Sequence, residues 1–238
     1  VSQRQTRDEA VRAKEQLKRN MEDITHQIKT ALTAVLLLLD LVKSDPEHLT
    51  EYQERIRQEV ERLYEFSDLL LKLSSLDACA VNLNKTSFPV KELVIDAEMS
   101  LEYLMRQKLI SVEASGDDFT LEADRVWLLQ ALVNVLKNAV EASPQRAKVY
   151  IILHQNAVYK SIKVIDSGPG ISREEQRRIF ERFYKSNPRS PGFGIGLALA
   201  QSIVRQHGGE ILVSSSGRGS EFELRFYSQP CKEKRLVG

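Results

Sequence analysis

Hydrophobic positions in the first eighty residues recur at the spacing of long amphipathic helices. Apolar residues from Ile24 to Val42 are separated by steps of four and three, the alternation of a coiled-coil seam. A second series with the same period runs from Leu49 to Leu73. Asp45-Pro46 separates the two, because proline disfavours helical geometry at the residue before it. The pattern predicts two antiparallel helices joined by a tight turn.

A lone helical hairpin leaves much of its two apolar seams in water. We therefore expect two copies of the chain to pair as a homodimer and form a four-helix bundle. A simple coiled-coil spacer is the alternative that this half alone leaves open.

From Val81 onward, helical and extended patterns alternate. A helix is predicted from Phe88-Pro89 to about Gln107, and two short strands flank the turn at 116–118. Asp124 is a suitable N-cap for a helix. We assign to the buried face of that helix the residues Val126, Leu129, Val133, Leu136 and Val140. Further strands are predicted at 149–153, 161–165, 211–213 and 221–226, with a helix over 195–207 that ends at a glycine C-cap.

The predicted fold class is α+β, with three parts along the chain. Residues 1–80 form the helical hairpin, residues 81–228 form an α/β sandwich with a mixed sheet, and 229–238 is a polar tail. The composition, with 42% hydrophobic and 28% charged residues, is that of a soluble globular protein. The longest apolar run, Ala34 to Leu39, is far shorter than the ~20 residues of a membrane span. We expect a soluble chain with no signal peptide, one that could be cut from a membrane protein.

Charge and cysteine content exclude some classes of function. The formal net charge of +1 gives no electrostatic reason to expect nucleic-acid binding. Cys79 and Cys231 have neither metal-site nor disulfide-framework spacing, so free thiols in a reducing compartment are expected.

Two glycine-rich segments point to a nucleotide site. Asp166-Ser167-Gly168-Pro169-Gly170 follows an apolar strand, where a carboxylate could accept a hydrogen bond from the amino group of adenine. An Asp that only begins a turn is the more common case for Asp-x-Gly alone. Gly192, Gly194 and Gly196 open a helix whose N-terminal N–H groups could bind phosphate. This second segment is neither a Walker loop nor a Rossmann fingerprint.

A pair of asparagines and a long charged segment complete the site. Asn134 and Asn138 lie one turn apart on an apolar helix, and Asn138 offers an oxygen for a magnesium ion held mainly by phosphates and water. The segment 171–191 is long, charged and punctuated by prolines, which suits a mobile lid over a nucleotide.

These motifs, in this order, resemble the catalytic core of the sensor histidine kinases of bacterial two-component systems. Asn134-x-x-x-Asn138-Ala139 resembles the N box, 166–170 the first glycine box, 180–184 the F box and 192–197 the second glycine box. The resemblance covers nearly the whole chain, and its nucleotide half alone is shared with gyrase-type ATPases. It implies ATP and Mg²⁺ as ligands, with Asn138 at the metal. The ATP-binding residues it implies are Asn134, Asn138, Asp166, Gly168, Gly170, Phe180, Arg182, Phe183, Tyr184, Gly192, Gly194, Gly196 and Leu197.

The same resemblance implies that His26 accepts a phosphoryl group from ATP and passes it to the receiver domain of a response regulator. His26 lies about 200° around the helix from the seam, so its side chain should face solvent. Thr30, one turn later, matches the position linked to dephosphorylation of the regulator. Thr33 and Leu37 continue this stripe, where a regulator docking patch and loose packing in the bundle are equally open. The resemblance further implies a cytoplasmic location, with a membrane contact only through a sensory region outside this sequence.

Three residues or pairs depart from the family pattern. Gln27 stands where the family usually has an acid that accepts the second imidazole proton, and Ala31 where proline is common. Glu141-Ala142 replaces a basic-aromatic pair that contacts phosphate in many members. Two rival functions remain open. A gyrase- or chaperone-like ATPase would need an acidic residue where this chain has Asn134, and a degenerate kinase that acts mainly as a phosphatase or scaffold is consistent with Gln27.

Overall fold

The N-terminal part of the chain is a long helical hairpin, as predicted. The computed structural model describes residues 2–77, 81–187 and 192–227. Helix α1 spans Ser2–Ser44 and helix α2 spans Leu49–Asp77, with a single 3-10 turn at Pro46–His48 between them. The Asp45 carboxylate ties this turn together, because it accepts hydrogen bonds from Tyr52 at 2.9 Å and from His48 at 3.0 Å. Cys79, Cys231, the tail 229–238 and positions 188–191 of the proposed lid lie outside the described residues.

The rest of the described chain is a mixed α/β domain, which confirms the predicted fold class. Its five-stranded sheet has the order β2-β4-β5-β7-β6, in which β2 and β4 are parallel and the other neighbours antiparallel. A separate two-stranded sheet pairs β1 with β3. The strands are β1 Thr86–Pro89, β2 Ser111–Gly116, β3 Thr120–Ala123, β4 Lys148–Gln155, β5 Tyr159–Ile165, β6 Gly209–Ser216 and β7 Gly219–Tyr227. The remaining helices are α3 Val90–Ser100, α4 Glu102–Lys108, α5 Arg125–Ala142, α6 Arg173–Gln176 and α7 Gly196–Gln206.

Two details differ from the sequence-based expectation. The helix predicted to run to Gln107 is divided at Leu101 into α3 and α4. The strands flanking the 116–118 turn belong to different sheets, because Gly116 lies against the Leu153 carbonyl with a φ of +103° and turns the chain away from β2.

The buried face of α5 agrees only in part with the predicted one: Leu136 and Val140 are buried as predicted, and Leu129 and Val133 are partly buried against the core. Its buried residues are centred on Leu132, Val135 and Ala139, about 90° around the helix from the predicted stripe. Val126, assigned to that stripe, is exposed. The displacement arises because α3, α7 and the sheet all pack against the same side of α5. The predicted cap is confirmed, since the Asp124 carboxylate accepts hydrogen bonds from the backbone N–H groups of Val126 and Trp127.

The C-terminal half of α2 packs against the α/β domain. Phe66, Leu73 and Leu76 are buried in the same apolar cluster as the core of that domain. Two polar contacts flank this packing: Gln206 donates to the Leu76 carbonyl at 3.1 Å, and Lys72 donates to the Gln130 side chain at 3.3 Å. The hairpin and the sheet domain therefore share one core in the described structure.

Candidate functional site

Helix α5 brings the asparagine pair to the second glycine segment. The Asn134 carboxamide donates to the Gln130 carbonyl at 2.8 Å, which orients its oxygen towards Gly196 at the start of α7. A Cβ at Gly196 would lie only 2.8 Å from that oxygen. A side chain at residue 196 would therefore force the Asn134 carboxamide out of this position, and glycine there lets the two groups meet.

The other end of α5 contacts the first glycine segment. A Cβ at Gly168 would lie 2.9 Å from the Ala142 carbonyl, so glycine is again required at the contact. The Ser143 hydroxyl, just beyond the helix, donates to the Ala139 carbonyl and accepts from the Ser167 N–H at 3.3 Å. One helix thus positions both glycine segments.

Asp166 is buried, and its two carboxylate oxygens have different roles. Its Oδ1 accepts hydrogen bonds from the backbone N–H groups of Gly168 at 2.8 Å and Ser220 at 3.2 Å. Its Oδ2 takes neither of these backbone hydrogen bonds and can accept from a ligand, while the Ser220 hydroxyl also interacts with the carboxylate. Burial raises the pKa of the Asp166 carboxyl, and the hydrogen bonds from Gly168 and Ser220 partly oppose that shift. A buried acceptor of this kind suits a base amino group.

The β6–β7 hairpin supports the first glycine segment, and the sequence did not predict this contact. The Ser215 hydroxyl accepts from the Ile171 N–H at 2.7 Å. Gly170, with a φ of +82°, packs against the Ser216 carbonyl, and Gly219 packs against the Asp166 carbonyl so closely that no side chain would fit. The glycines and serines of 214–220 lie between two predicted strands, and no contact with the glycine segment was predicted for them. Their density in one turn was the available signal for this second role.

The F-box segment folds onto the second glycine segment. The Phe183 N–H donates to the Gly194 carbonyl at 2.8 Å, and Phe183 has a φ of +64°, unusual for a residue with a side chain. A Cβ at Gly194 would lie 2.7 Å from the Phe183 carbonyl carbon. Arg178 stacks over the Tyr184 ring at 4.4 Å, and Phe180 packs partly buried against the core. Arg182 is half-buried, Gly192 has a φ of +85° and Leu197 packs against the core.

Asn138 and Glu141 lie on the last turns of α5 and present their side-chain oxygens there. Among the described residues, neither the Asn138 carboxamide nor the Glu141 carboxylate has a hydrogen-bond partner, and no cation lies within 4 Å of Glu141. Burial raises the pKa of the Glu141 carboxyl, opposed by attraction to Lys137, Lys108 and Lys185. Lys108 instead donates to the carbonyls of Val140, Glu141 and Ser143 at 2.7–2.8 Å, which caps the C-terminus of α5.

His26 lies on the solvent-facing side of α1, as its spacing predicted. The Thr30 hydroxyl donates to the His26 carbonyl at 2.9 Å and remains on the exposed surface. Gln27 is half-buried, and Leu37 is 60% exposed on the same stripe as His26. Lys18, Glu22 and Lys29 surround the histidine along the helix surface.

Comparisons with known proteins bear on both parts of the chain. The model of the His Kinase A (phospho-acceptor) domain matches residues 16–79. The model of histidine kinase-, DNA gyrase B- and HSP90-like ATPases matches residues 123–230. The chain belongs to the sensor histidine kinase family.

Individual relatives agree with this assignment. The Heme sensor protein HssS of Staphylococcus saprophyticus is 30% identical over 88% of this chain. The kinase chain spans 46% of that relative's length, so it corresponds to about half of the whole protein. Among solved structures, histidine kinase AdeS of Acinetobacter baumannii superposes with a TM-score of 0.74 at 22% identity, covering 86% of this chain and 98% of its own. Histidine kinase ThkA, in complex with response regulator protein TrrA, superposes with a TM-score of 0.70 at 25% identity, covering 88% and 61%.

Proposed function

We propose that this kinase phosphorylates His26 with ATP and passes the phosphoryl group to an aspartate on the receiver domain of a response regulator. In this proposal residues 1–80 serve as the dimerisation and phosphotransfer hairpin and 81–228 as the ATP-binding domain. The observation that carries it is the position of α5, which contacts Gly196 through Asn134 and Gly168 through Ala142. A chain that joins such a site to an exposed histidine has both partners of a phosphoryl transfer.

Nucleotide binding rests on the two glycine segments. Asp166 Oδ2 accepts from the adenine amino group, and the glycines beside it allow the base to approach the backbone. The N-terminus of α7 supplies backbone N–H groups to the phosphates. Asn138 provides an oxygen of the type that Mg²⁺ prefers, and the absence of a partner for its side chain among the described residues fits that use. Bound Mg²⁺ would neutralise charge that develops on the phosphates during transfer.

The chemical step is an in-line displacement at the γ-phosphorus. The unprotonated imidazole nitrogen of His26 attacks phosphorus, the bond to the β–γ bridging oxygen breaks, and that oxygen leaves on ADP with the electron pair. A neutral imidazole carries a lone pair on one ring nitrogen, so it can attack without prior deprotonation. The Gln27 carboxamide can accept a hydrogen bond from the other ring nitrogen, but it cannot take up that proton.

The exposed stripe on α1 is the proposed regulator contact. His26, Thr30 and Leu37 lie on one side of the helix, so a receiver domain seated there would bring its aspartate to the histidine. The ThkA–TrrA complex supports this kind of partner. The Thr30 hydroxyl could also orient a water molecule for removal of phosphate from the regulator, which would make the kinase bifunctional.

Exposed apolar residues on both hairpin helices support dimerisation. Leu32, Leu36 and Leu39 on α1, and Val60 and Tyr64 on α2, are exposed in a single chain. A four-helix bundle with a second copy would bury them. By length and composition alone, Asn20–Ser44 could also cross a membrane, a criterion that helices of soluble bundles also meet. We assign this segment, which contains His26, to the bundle and place the chain in the cytoplasm, below a sensory region outside this sequence.

The gyrase-like alternative is the weaker one. Such an ATPase needs a carboxylate on α5 to activate water, and the Asn134 carboxamide cannot accept a proton. A scaffold or phosphatase without kinase activity would keep the exposed stripe but form no phosphohistidine.

Incubation with γ-³²P-labelled ATP and Mg²⁺ tests these functions together. We expect label that is lost in acid and retained in base, as phosphohistidine is. His26→Gln should abolish this label while nucleotide affinity stays the same, and His48→Gln, an exposed histidine on the same hairpin, should leave it intact. Free phosphate without labelled protein would support the ATPase, and label that persists in His26→Gln would exclude His26 as the acceptor.

A further inference from the structure

Three polar residues form a stripe along α5, opposite its buried face. At ~100° per residue, Asn138 lies about 40° around the helix axis from Asn134 in one direction, and Glu141 lies about 20° from it in the other. The buried residues of the helix are centred about 150° away, around Leu132 and Ala139. The stripe therefore faces the space bounded by the two glycine segments.

Two members of this stripe lack internal partners. The Asn134 carboxamide is oriented by the Gln130 carbonyl, whereas the side-chain oxygens of Asn138 and Glu141 have no hydrogen-bond partner in the described part of the chain. A partly desolvated carboxylate without a hydrogen bond or ion pair is costly in a folded protein. An anion at this position would also repel the phosphates of a nucleotide. Both costs are offset if a cation lies between the carboxylate and the phosphates.

We propose that Glu141 is a second protein ligand, beside Asn138, to the Mg²⁺ that accompanies bound ATP. This proposal rests on the proposed function and adds a residue to its metal site. Mg²⁺ in nucleotide sites is commonly held by one or two protein oxygens together with phosphates and water. Residues three apart on a helix are neighbours on its surface, so the two side chains can reach one ion. Lys108, which caps the last carbonyls of α5, holds this turn in place.

With Glu141 as a metal ligand, the change in ATP affinity that Mg²⁺ causes depends on the Glu141 carboxylate. Without Mg²⁺ the carboxylate opposes binding of ATP, and with Mg²⁺ it promotes binding. Removing its charge should therefore strengthen metal-free binding and weaken metal-assisted binding. A residue with a purely structural role would change both affinities in the same direction.

Isothermal titration calorimetry of the full chain with ATP, in EDTA and in excess Mg²⁺, measures this dependence. The quantity is the ratio of the two dissociation constants. Glu141→Gln, which keeps the side-chain shape, should reduce that ratio by about tenfold or more, the size of effect expected for groups that support a bound metal. Glu141→Asp should retain part of the ratio. Glu122→Gln on β3, near the opposite end of α5, is the matched control and should leave it unchanged.

Electron paramagnetic resonance with Mn²⁺ in place of Mg²⁺ gives a second readout that does not depend on catalysis. Mn²⁺ should bind the ATP complex of Glu141→Gln more weakly than that of the parent. If the ratio is unchanged in Glu141→Gln, or if ATP binding weakens equally in EDTA and in Mg²⁺, Glu141 is not a metal ligand. Its role would then be electrostatic attraction to the neighbouring lysines. If the parent binds no ATP in either condition, the proposed function fails together with this inference, and calorimetry distinguishes that result from the other two.

Discussion

The rings of Phe66 and Phe193 lie with their centroids 4.5 Å apart, and this contact joins α2 to the second glycine segment. Both side chains are buried, and Phe183 of the F box meets Phe66 edge-on at 6.4 Å. Ile24, two residues before His26, packs against the same cluster. The nucleotide domain is thus docked on the hairpin near the level of His26, the proposed phosphoacceptor. Any movement of the domain relative to His26 must break or slide this contact.

Truncating Phe66 should release the docked domain without unfolding either part. Replacing a buried Phe by Ala typically costs about 3–5 kcal/mol, and here the lost packing lies between two elements that each retain other contacts. We expect Phe66→Ala to be cleaved faster by protease in the segment joining α2 to β1, while its helical circular dichroism stays close to that of the parent.

Tyr64→Ala is the control for this variant, because Tyr64 lies on the same helix turn but is 78% exposed. It should be cleaved at the parental rate. Equal protection of Phe66→Ala and the parent would show that the aromatic contact does not hold the two parts together.

Replacing Asp166 by Asn should separate stability from nucleotide binding. Burial raises the folded-state pKa of Asp166, so its negative charge destabilises the folded state. This loss of stability develops as pH rises from the unfolded-state pKa to the folded-state pKa, and it is complete above both. At neutral pH, Asp166→Asn removes that cost and keeps an oxygen for the Gly168 and Ser220 N–H groups. We therefore expect a higher melting temperature without nucleotide.

The same substitution places an NH₂ donor at the Oδ2 position of Asp166, which in the proposed complex accepts from the amino group of adenine. A mismatch of this kind costs about 1–3 kcal/mol, so the dissociation constant for ATP should rise by roughly tenfold to a hundredfold. Asp118→Asn, an exposed carboxylate paired with Lys91, should alter neither property. ATP binding as tight as in the parent, measured by calorimetry, would contradict the assigned role of Asp166.

The sequence predicts the elements better than their packing. The hairpin, the Asp124 cap and the β4–β5 and β6–β7 pairs follow from local signals: a seven-residue period, a capping side chain and alternating strands. The buried face of α5 was predicted only in part, with Leu136 and Val140 buried but Val126 exposed, because apolar residues surround most of that helix and only its neighbours select which of them are covered. The separation of β2 from β3 depends on residues distant in sequence and leaves no local pattern. The contacts of Ser215 and Gly219 with the first glycine segment also join distant residues, and the density of glycine and serine at 214–220 was the local signal for them.

Stability should decrease on mild acidification because of His207. Its Nδ1 donates to the Ile203 carbonyl at 2.8 Å, and its Nε2 accepts from the Asp124 N–H at 3.1 Å, so the folded state holds the ring neutral. Burial lowers the pKa of His207, and therefore the unfolded chain binds the proton first as pH falls. The free energy of unfolding should fall as pH decreases from about 6.5 towards the folded-state pKa, and stay constant on this account above 6.5.

Urea unfolding at pH 7.5 and pH 5.5 measures the effect. In His207→Asn the part of the pH dependence that comes from this residue should disappear, although the variant will be less stable overall. His154→Asn, an exposed histidine near Asp117, should keep the parental dependence. An equal loss of stability on acidification in the parent and in His207→Asn would assign the effect to other groups.

Gln27 tests how much the phosphoacceptor depends on a neighbouring base. General acid–base assistance is typically worth ~10²–10⁴ in rate, and its absence here should fall at the low end because a neutral imidazole can attack without prior deprotonation. Gln27→Glu should therefore speed autophosphorylation at saturating ATP. Gln53→Glu, the same substitution on the exposed surface of α2, is the matched control and should leave the rate unchanged.

The gain in Gln27→Glu should require His26, because the two side chains would act on one proton. In a His26→Gln background the substitution should produce no labelling at all. If Gln27→Glu instead leaves the rate unchanged or lowers it, the residue does not occupy the place of a missing base. Gln27 is half-buried between the exposed stripe and the seam of α1, and this position would then favour a role in the contact with the regulator or the nucleotide domain. A slower reaction would follow because a new charge at residue 27 weakens such a contact.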